Sequence, residues 1–387
     1  MPVSTAADPH PLLRRLREQT PVCRRGPASW YLTRYADVLR VLRDPAVGRQ
    51  LDRLPACLAA RHYQPDDPLT ELRRNVFNLD PPDHTRLRGL LAPAFSPRAT
   101  AAAAGHVREV VNGLLRDLAA AGGTADLIAA LALPLQIRVV ARVTGLPPGD
   151  GARLQAWSAA IADASDPERG HRAGLKLAAY VGEIADGWDS RAPVSLLSRL
   201  VQAEQSGLIS RPELVSSVIQ VLLGGDETTV NLVGNAVLEL LRHPDQLARL
   251  RARPELTGSA VEEAARFNGP VGHSRPLYAL ADVAIGGTTI PRGDVVVPVL
   301  LAANRDPAVF PDPDVFDIGR SPNPHLGFGH GIHFCLGAAL ARRQATEAIG
   351  ALVRRFPRLA LAVDPDEIEW TPGLAVHGVR QLPVLLG

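Results

Sequence analysis

The chain has 387 residues, 46% hydrophobic and 21% charged, a composition that excludes intrinsic disorder. Its 42 basic and 40 acidic residues leave a net charge of +2, too small for nucleic acid or an anionic membrane to be the main partner. At roughly 150 residues per domain, length alone allows two or three domains. Lys176 is the only lysine, so nearly every cation is an arginine. Codon bias accounts for that excess, although a guanidinium is also the better carboxylate ligand. The cysteines, Cys23, Cys57 and Cys335, show no CxxC spacing, which argues against a disulfide framework or a zinc site and fits a reducing cytoplasm. Charges interrupt the N-terminus and every long apolar run, so neither a signal-peptide core nor a membrane span is expected.

Helical periodicity dominates the N-terminal half, with Trp30–Thr33 as the early strand. Ser210-Arg-Pro-Glu213 is a capping box, and Val215, Val218, Ile219 and Leu222 follow at i, i+3, i+4 and i+7. The pattern resumes at Val230, Val233 and Val237 and stops near His243-Pro244. A helix from about 211 to 242 would be about 48 Å long. Its centre, Gly224-Gly225-Asp226-Glu227-Thr228-Thr229, is its poorest helix-forming stretch, each glycine costing about 1 kcal/mol relative to alanine. A second helix ends at Phe267 before Asn268-Gly269-Pro270. Strands follow at Val283–Ile290, which contains the turn Gly286-Gly287, and at Val295–Leu300. The proline-rich stretch Asp306–Pro324 has little periodicity yet holds Phe310 and Phe316, and a last helix spans about 336–356.

The most informative segment is Phe328-Gly-His-Gly-Ile-His-Phe-Cys335-Leu-Gly337. A single cysteine stands where a glycine-rich loop enters a helix, whose free N–H groups and dipole favour a thiolate. The glycines permit tight turns and the close approach of a flat ligand. One soft thiolate suits an axial haem ligand, and spacing alone equally permits a buried structural cysteine.

This segment resembles the haem-binding loop of the cytochrome P450 family, Phe-x-x-Gly-x-x-x-Cys-x-Gly, through Phe328, Gly331, Cys335 and Gly337. The resemblance implies a mainly α fold with small β-sheets and a long distal helix over haem b. It implies Cys335 as the axial thiolate ligand of the iron, Phe328 packed beneath it, Gly337 closing the loop, and His333 bonded to a haem propionate. Glu263-Ala-Ala-Arg266 is similar to the family's Glu-x-x-Arg motif, whose i, i+3 spacing lets the charges pair, with Arg320 as the third member. Gly224-Gly-Asp226-Glu227-Thr228 resembles the family's oxygen-activation motif, in which a helix bulge makes room over the iron. By that resemblance Glu227 relays protons, Thr228 hydrogen-bonds the iron-bound oxygen, and Gly224 belongs to the cofactor site. Asp226 is either a second relay group or a solvated charge. Asp80 to Arg88 resembles the early helix over the haem edge, with His84 and Arg88 on one face as propionate ligands. The family's usual propionate arginine is replaced by Leu277 here, and Arg275, two residues upstream on the same strand face, is the substitute.

The resemblance therefore implies one catalytic domain, residues 1–387, with a helix-rich core and a small β-rich lobe. The expected enzyme is a soluble, cytoplasmic, monomeric haem-thiolate monooxygenase. It takes electrons from a separate ferredoxin or flavodoxin, with Arg342 and Arg343 as docking charges or simply a solvated helix face. It inserts one oxygen atom from O2 into an apolar or amphipathic small molecule, as a tailoring step in secondary metabolism. Val271, Leu374 and Val376 are expected as apolar pocket walls, and Arg61 and the arginines near 169–172 as contacts for a polar substrate end. Oxidative coupling or ring closure by the same haem is the alternative, and a non-catalytic haem sensor or recruitment module is a third.

Overall fold

The computed structural model describes residues 8–53, 72, 74–162, 166–189, 194–371 and 373–387. Two compact units share the chain: Met1–Gly48, Ala104–Leu135 and Glu227–Gly387 form the first, and Arg49–Ala103 with Gln136–Asp226 form the second. The fold is mainly α-helical with small sheets, as the sequence implies, and among the described residues every strand lies in the first unit.

A five-stranded sheet runs in the order Val22–Arg25, Ser29–Leu32, Val295–Pro298, Leu277–Ala279, Val47–Gly48. Its one parallel pairing joins Ser29–Leu32 to Val295–Pro298, strands that are far apart in sequence and need no tight turn. The strand at Val295 stops at Pro298, two residues earlier than expected, and Leu300–Ala303 is helical. Val283–Ile285 and Thr288–Ile290 form a hairpin with Ile285 opposite Thr288. Both turn residues, Gly286 at φ +53° and Gly287 at φ +77°, occupy the left-handed region that such a two-residue turn demands. Leu32, Val38, Leu277, Ile290, Val296 and Leu326 close the core beneath these strands.

The long helix spans Arg211–Arg242, 32 residues. Its capping box is formed: the Ser210 N–H donates to Glu213 Oε2 at 2.9 Å, and the Glu213 N–H donates to Ser210 Oγ at 3.3 Å. The expected bulge at 224–228 is not present, and the helix is continuous there. The glycines serve packing instead. A Cβ on Gly224 would lie 3.3 Å from Phe77 Cζ, and one on Gly225 only 2.9 Å from Gln136 Nε2. A wider, π-helical turn is found elsewhere, at Ile128–Ala132.

The Glu-x-x-Arg motif lies on the helix Thr257–Phe267. Glu263 and Arg266 are completely buried. All five N–H groups of Arg266 are used: Nε and Nη2 donate to Glu263 at 2.8 and 2.7 Å, and the rest reach the carbonyls of Asn304, Pro313 and Val315. Glu263 also accepts from the Asp317 N–H, Arg320 Nε and Asn323 Nδ2. Arg320 in turn donates to the carbonyls of Pro311, Asp312 and Val315. The proline-rich stretch is irregular for this reason: its carbonyls turn inward to two guanidiniums instead of joining a ladder. Phe310 and Phe316 anchor it, the latter 5.4 Å from the Phe267 ring. Removing one partner from such a pair strands a buried charge, at a cost of about 3–5 kcal/mol.

Candidate functional site

The cysteine loop precedes the helix Ala338–Arg355, with Gly337 as N-cap. A 3₁₀ turn at Gly331–His333 reverses the chain, and the Cys335 N–H donates to the Phe328 carbonyl at 2.9 Å. The turn requires glycine at 331: its φ is +73°, and a Cβ there would sit 2.3 Å from the Leu42 carbonyl oxygen. The Cys335 thiol and His333 are half-buried, while Ile332 and Phe334 present apolar side chains at 49% and 39% exposure.

Phe328 is held by residues the sequence did not reveal. Arg342 lies over its ring at 4.1 Å, and His325 is tilted against it at 5.9 Å. Glu262 ties both together, accepting from Arg342 Nε and Nη2 at 2.7 and 2.8 Å and contacting His325 Nε2 at 3.0 Å. Burial raises the Glu262 pKa, but hydrogen bonds from His325 and Arg342 outweigh it and hold the carboxyl at about 2. The partners are 63 and 80 residues from Glu262, so no local spacing announces them. Arg342 is engaged within the chain by Glu262, its side chain about one-third exposed, and Arg343 pairs with Glu347 at 3.2 Å.

Arg275 lies in coil ahead of the strand Leu277–Ala279, so strand alternation is not what aims it. Leu277 is buried in the sheet core, where a charged replacement would be costly. The Arg275 side chain is accessible, yet surrounding protein desolvates it enough to lower its pKa. Glu227 is likewise accessible, with its pKa raised by burial alone. Thr228 follows it, half-buried; the Asp226 side chain lies outside the described residues.

In the second unit, His84 and Arg88 share the helix Asp83–Leu91. His84 is 3% exposed, and its pKa is lowered to about 4 by burial first, then by the Arg88 and Arg49 cations, against the opposing pull of Asp80. The Asp80 carboxylate accepts the N–H groups of Arg49 and Gln50 and Arg53 Nη1. The local potential is thus positive at a buried imidazole, a setting suited to an incoming carboxylate.

These features fit a haem. In the first unit the Cys335 thiol suits a haem iron, Ile332 and Phe334 suit an apolar macrocycle, and the Arg275 guanidinium suits a propionate; in the second unit, taken by itself, Arg88 beside the neutral His84 imidazole suits a carboxylate. Among the described residues, no cluster of three or more His, Cys, Asp or Glu could hold a metal ion by itself. Of the expected pocket residues, Val271 and Val376 form a bridge, but Leu374 packs in a core cluster with Leu13 and Leu301. Arg172 pairs with Glu168 at 3.3 Å, both exposed, and Arg61 lies outside the described residues. No described helix is long and apolar enough to cross a membrane.

The family model for cytochrome P450 matches residues 176–380. The chain is 40% identical to cytochrome P450 monooxygenase PikC of Streptomyces venezuelae, over 98% of this chain and 91% of that protein. It is 34% identical to the polyketide biosynthesis cytochrome P450 PksS of Bacillus subtilis, over 98% of this chain and 96% of the relative. Among solved structures, CxnD, a cytochrome P450 enzyme for C–S bond formation in chuangxinmycin biosynthesis, superposes with a TM-score of 0.92 at 32% identity, over 100% of this chain and 95% of that one.

Proposed function

Because the chain belongs to the cytochrome P450 family, whose cofactor is haem b on a cysteine thiolate, we propose that it is a tailoring monooxygenase in which Cys335 supplies that thiolate. The observation that carries this reading is the Cys335 loop itself. Its N–H···O bond to Phe328, with Phe328 clamped by Arg342 and His325, holds one thiol at a fixed position before a helix N-terminus. When bound, the haem supplies activation of O2 with two electrons from a donor protein and delivery of one oxygen atom to the substrate.

The chain's own residues do the rest. Phe328, His333 and Gly337 shape the proximal loop, and His84, Arg88, His333 and Arg275 bind propionate carboxylates. Gly224 borders the cofactor site through its backbone, while the room its missing side chain leaves is taken by Phe77. Glu227, its pKa raised by burial, holds a proton on its carboxyl nearer to neutral pH than an exposed glutamate does. Thr228 Oγ1 is the neighbouring hydroxyl that receives and orders that proton supply.

The whole chain, 1–387, acts as one catalytic domain, a reading supported by the 98% coverage against PikC and PksS. A separate ferredoxin or flavodoxin donates the electrons, and the enzyme is a cytoplasmic monomer. PksS, by its name, serves polyketide biosynthesis, and an apolar or amphipathic secondary metabolite is the corresponding substrate class here. CxnD, by its title, forms a C–S bond, which favours oxidative coupling without net oxygen insertion as the second reading. Product mass separates the two: a gain of one oxygen supports insertion, and loss of two hydrogens supports coupling.

Reduced protein exposed to carbon monoxide should give the thiolate-type red-shifted Soret band, and its absence in correctly loaded protein defeats the assignment of Cys335. Thr228→Ala should keep that band yet divert electrons from product to peroxide; unchanged coupling removes Thr228 from the proton path.

A further inference from the structure

Behind the centre of the long helix, three helices enclose a partly open cavity of about 30 Å³. Gln136 and Val140 come from the helix Leu133–Thr144, Leu154, Gln155 and Ser158 from Gly151–Ala162, and Leu222 from the long helix. Gln136 is 2% exposed, and no described protein group reaches its Oε1 within hydrogen-bonding distance. A buried carboxamide oxygen is costly when it goes unbonded, and native chains rarely keep one without a purpose. The same side chain has its Nε2 against Gly225, where a Cβ would lie only 2.9 Å away. The helix thus omits a side chain at the place where the Gln136 amide presses on it.

The cavity has the volume and the chemistry for water. Roughly 10–15 Å³ holds one molecule, provided that two or more polar groups line the space, whereas wholly apolar cavities stay dry. Here Gln136, Gln155 and Ser158 supply polar groups among the apolar walls. We propose that this cavity is a bound-water site in which water donates to Gln136 Oε1, and that the hydrated Gln136 is a positioning residue for the helix segment carrying Gly225, Glu227 and Thr228. A hydroxyl on a bound small molecule offers the same O–H donor, but the volume admits little more than the hydroxyl itself. The positioning role rests on the monooxygenase reading; the water site does not.

The test starts with the substrate-free holoenzyme. A high-resolution crystal structure should show water at about 2.7–3.2 Å from Gln136 Oε1. No density there, or density only when a small molecule is bound, overturns the water site. Under xenon pressure the wild type should exclude the gas from this cavity, and Gln136→Leu should admit it; xenon in the wild-type cavity also overturns the proposal. Gly225→Ala should push the amide aside and displace the water. Both variants should lower product formed per electron pair by about threefold or more while KM stays constant, and the double variant should be no worse than the worse single one. Unchanged coupling in both, with the carbon monoxide band intact, rejects the positioning role and leaves the haem assignment standing. If Gln136→Leu does not fold, the wild-type crystals and Gly225→Ala still decide.

Discussion

Around Glu263, two guanidiniums face one carboxylate and a fan of backbone carbonyls, and all five Arg266 N–H groups find acceptors inside the chain. Around His84, the balance is different: Arg49 and Arg88 outweigh Asp80, and the imidazole is held neutral down to about pH 4. Both regions are buried and rich in arginine. The first is electrostatically closed, so it serves as scaffold for the loop that carries Cys335. The second sets Arg88 and Arg49 against a buried imidazole, and their combined effect with burial exceeds the opposing pull of Asp80, so it holds that imidazole neutral.

The strongest way to break this comparison is Glu263→Ala. It strands Arg266 at zero exposure and should cost about 3–5 kcal/mol, read as a loss of folded yield and Tm with or without haem. An effect seen only in the haem-loaded protein would mean that the network is not scaffold. Arg88→Ala should do the reverse. Folded yield without haem should fall far less than in Glu263→Ala, while haem transfer to a scavenger such as apomyoglobin accelerates about tenfold or more, the value of one charge-assisted bond. Equal stability losses in both states would erase the distinction.

The His84 pKa sharpens it further. Without haem, its folded value near 4 lies below the unfolded value of 6.5. The unfolded chain therefore takes up a proton that the folded chain refuses. Stability should fall by up to about 3 kcal/mol as pH drops from about 6.5 to 4, and is fully present above that window. His377, held near 4 by burial and Arg305, acts with the same sign, so His84→Asn separates the two contributions. Haem loading should raise the His84 pKa, because a propionate favours the imidazolium; an NMR titration that shows no rise would remove His84 from the propionate set. The smallest effect belongs to Arg342→Gln. Its ion pair with Glu262 is about one-third exposed, so stability should drop by only about 1 kcal/mol. The carbon monoxide band should nonetheless become labile, since Phe328 loses the guanidinium above its ring.

Much of this molecule is legible in one dimension because its signals are local. The capping box at Ser210 and Glu213, the Gly286-Gly287 hairpin and the end of the helix at Phe267 depend on neighbours within a few residues, and each forms as the pattern predicts. The glycine pair at 224–225 misleads for the opposite reason. Propensity marks a weak helix, but whether the helix breaks depends on what packs against it, and Phe77 and Gln136 fill the space that the glycines leave.

Sequence alone determined the helix-dominated class, the long helix and the single cysteine loop, since motif spacing and hydrophobic period are properties of contiguous residues. Tertiary structure decided which charges close on one another, as around Glu263, and which act on a buried imidazole, as around His84. It sent Arg342 to Glu262, 80 residues away, put Leu374 into a core, left Arg275 in coil ahead of its strand and buried Gln136 beside Gly225. The physical reason is that burial and Coulomb energy depend on the distance through space, and the order of residues in the chain does not encode that distance locally.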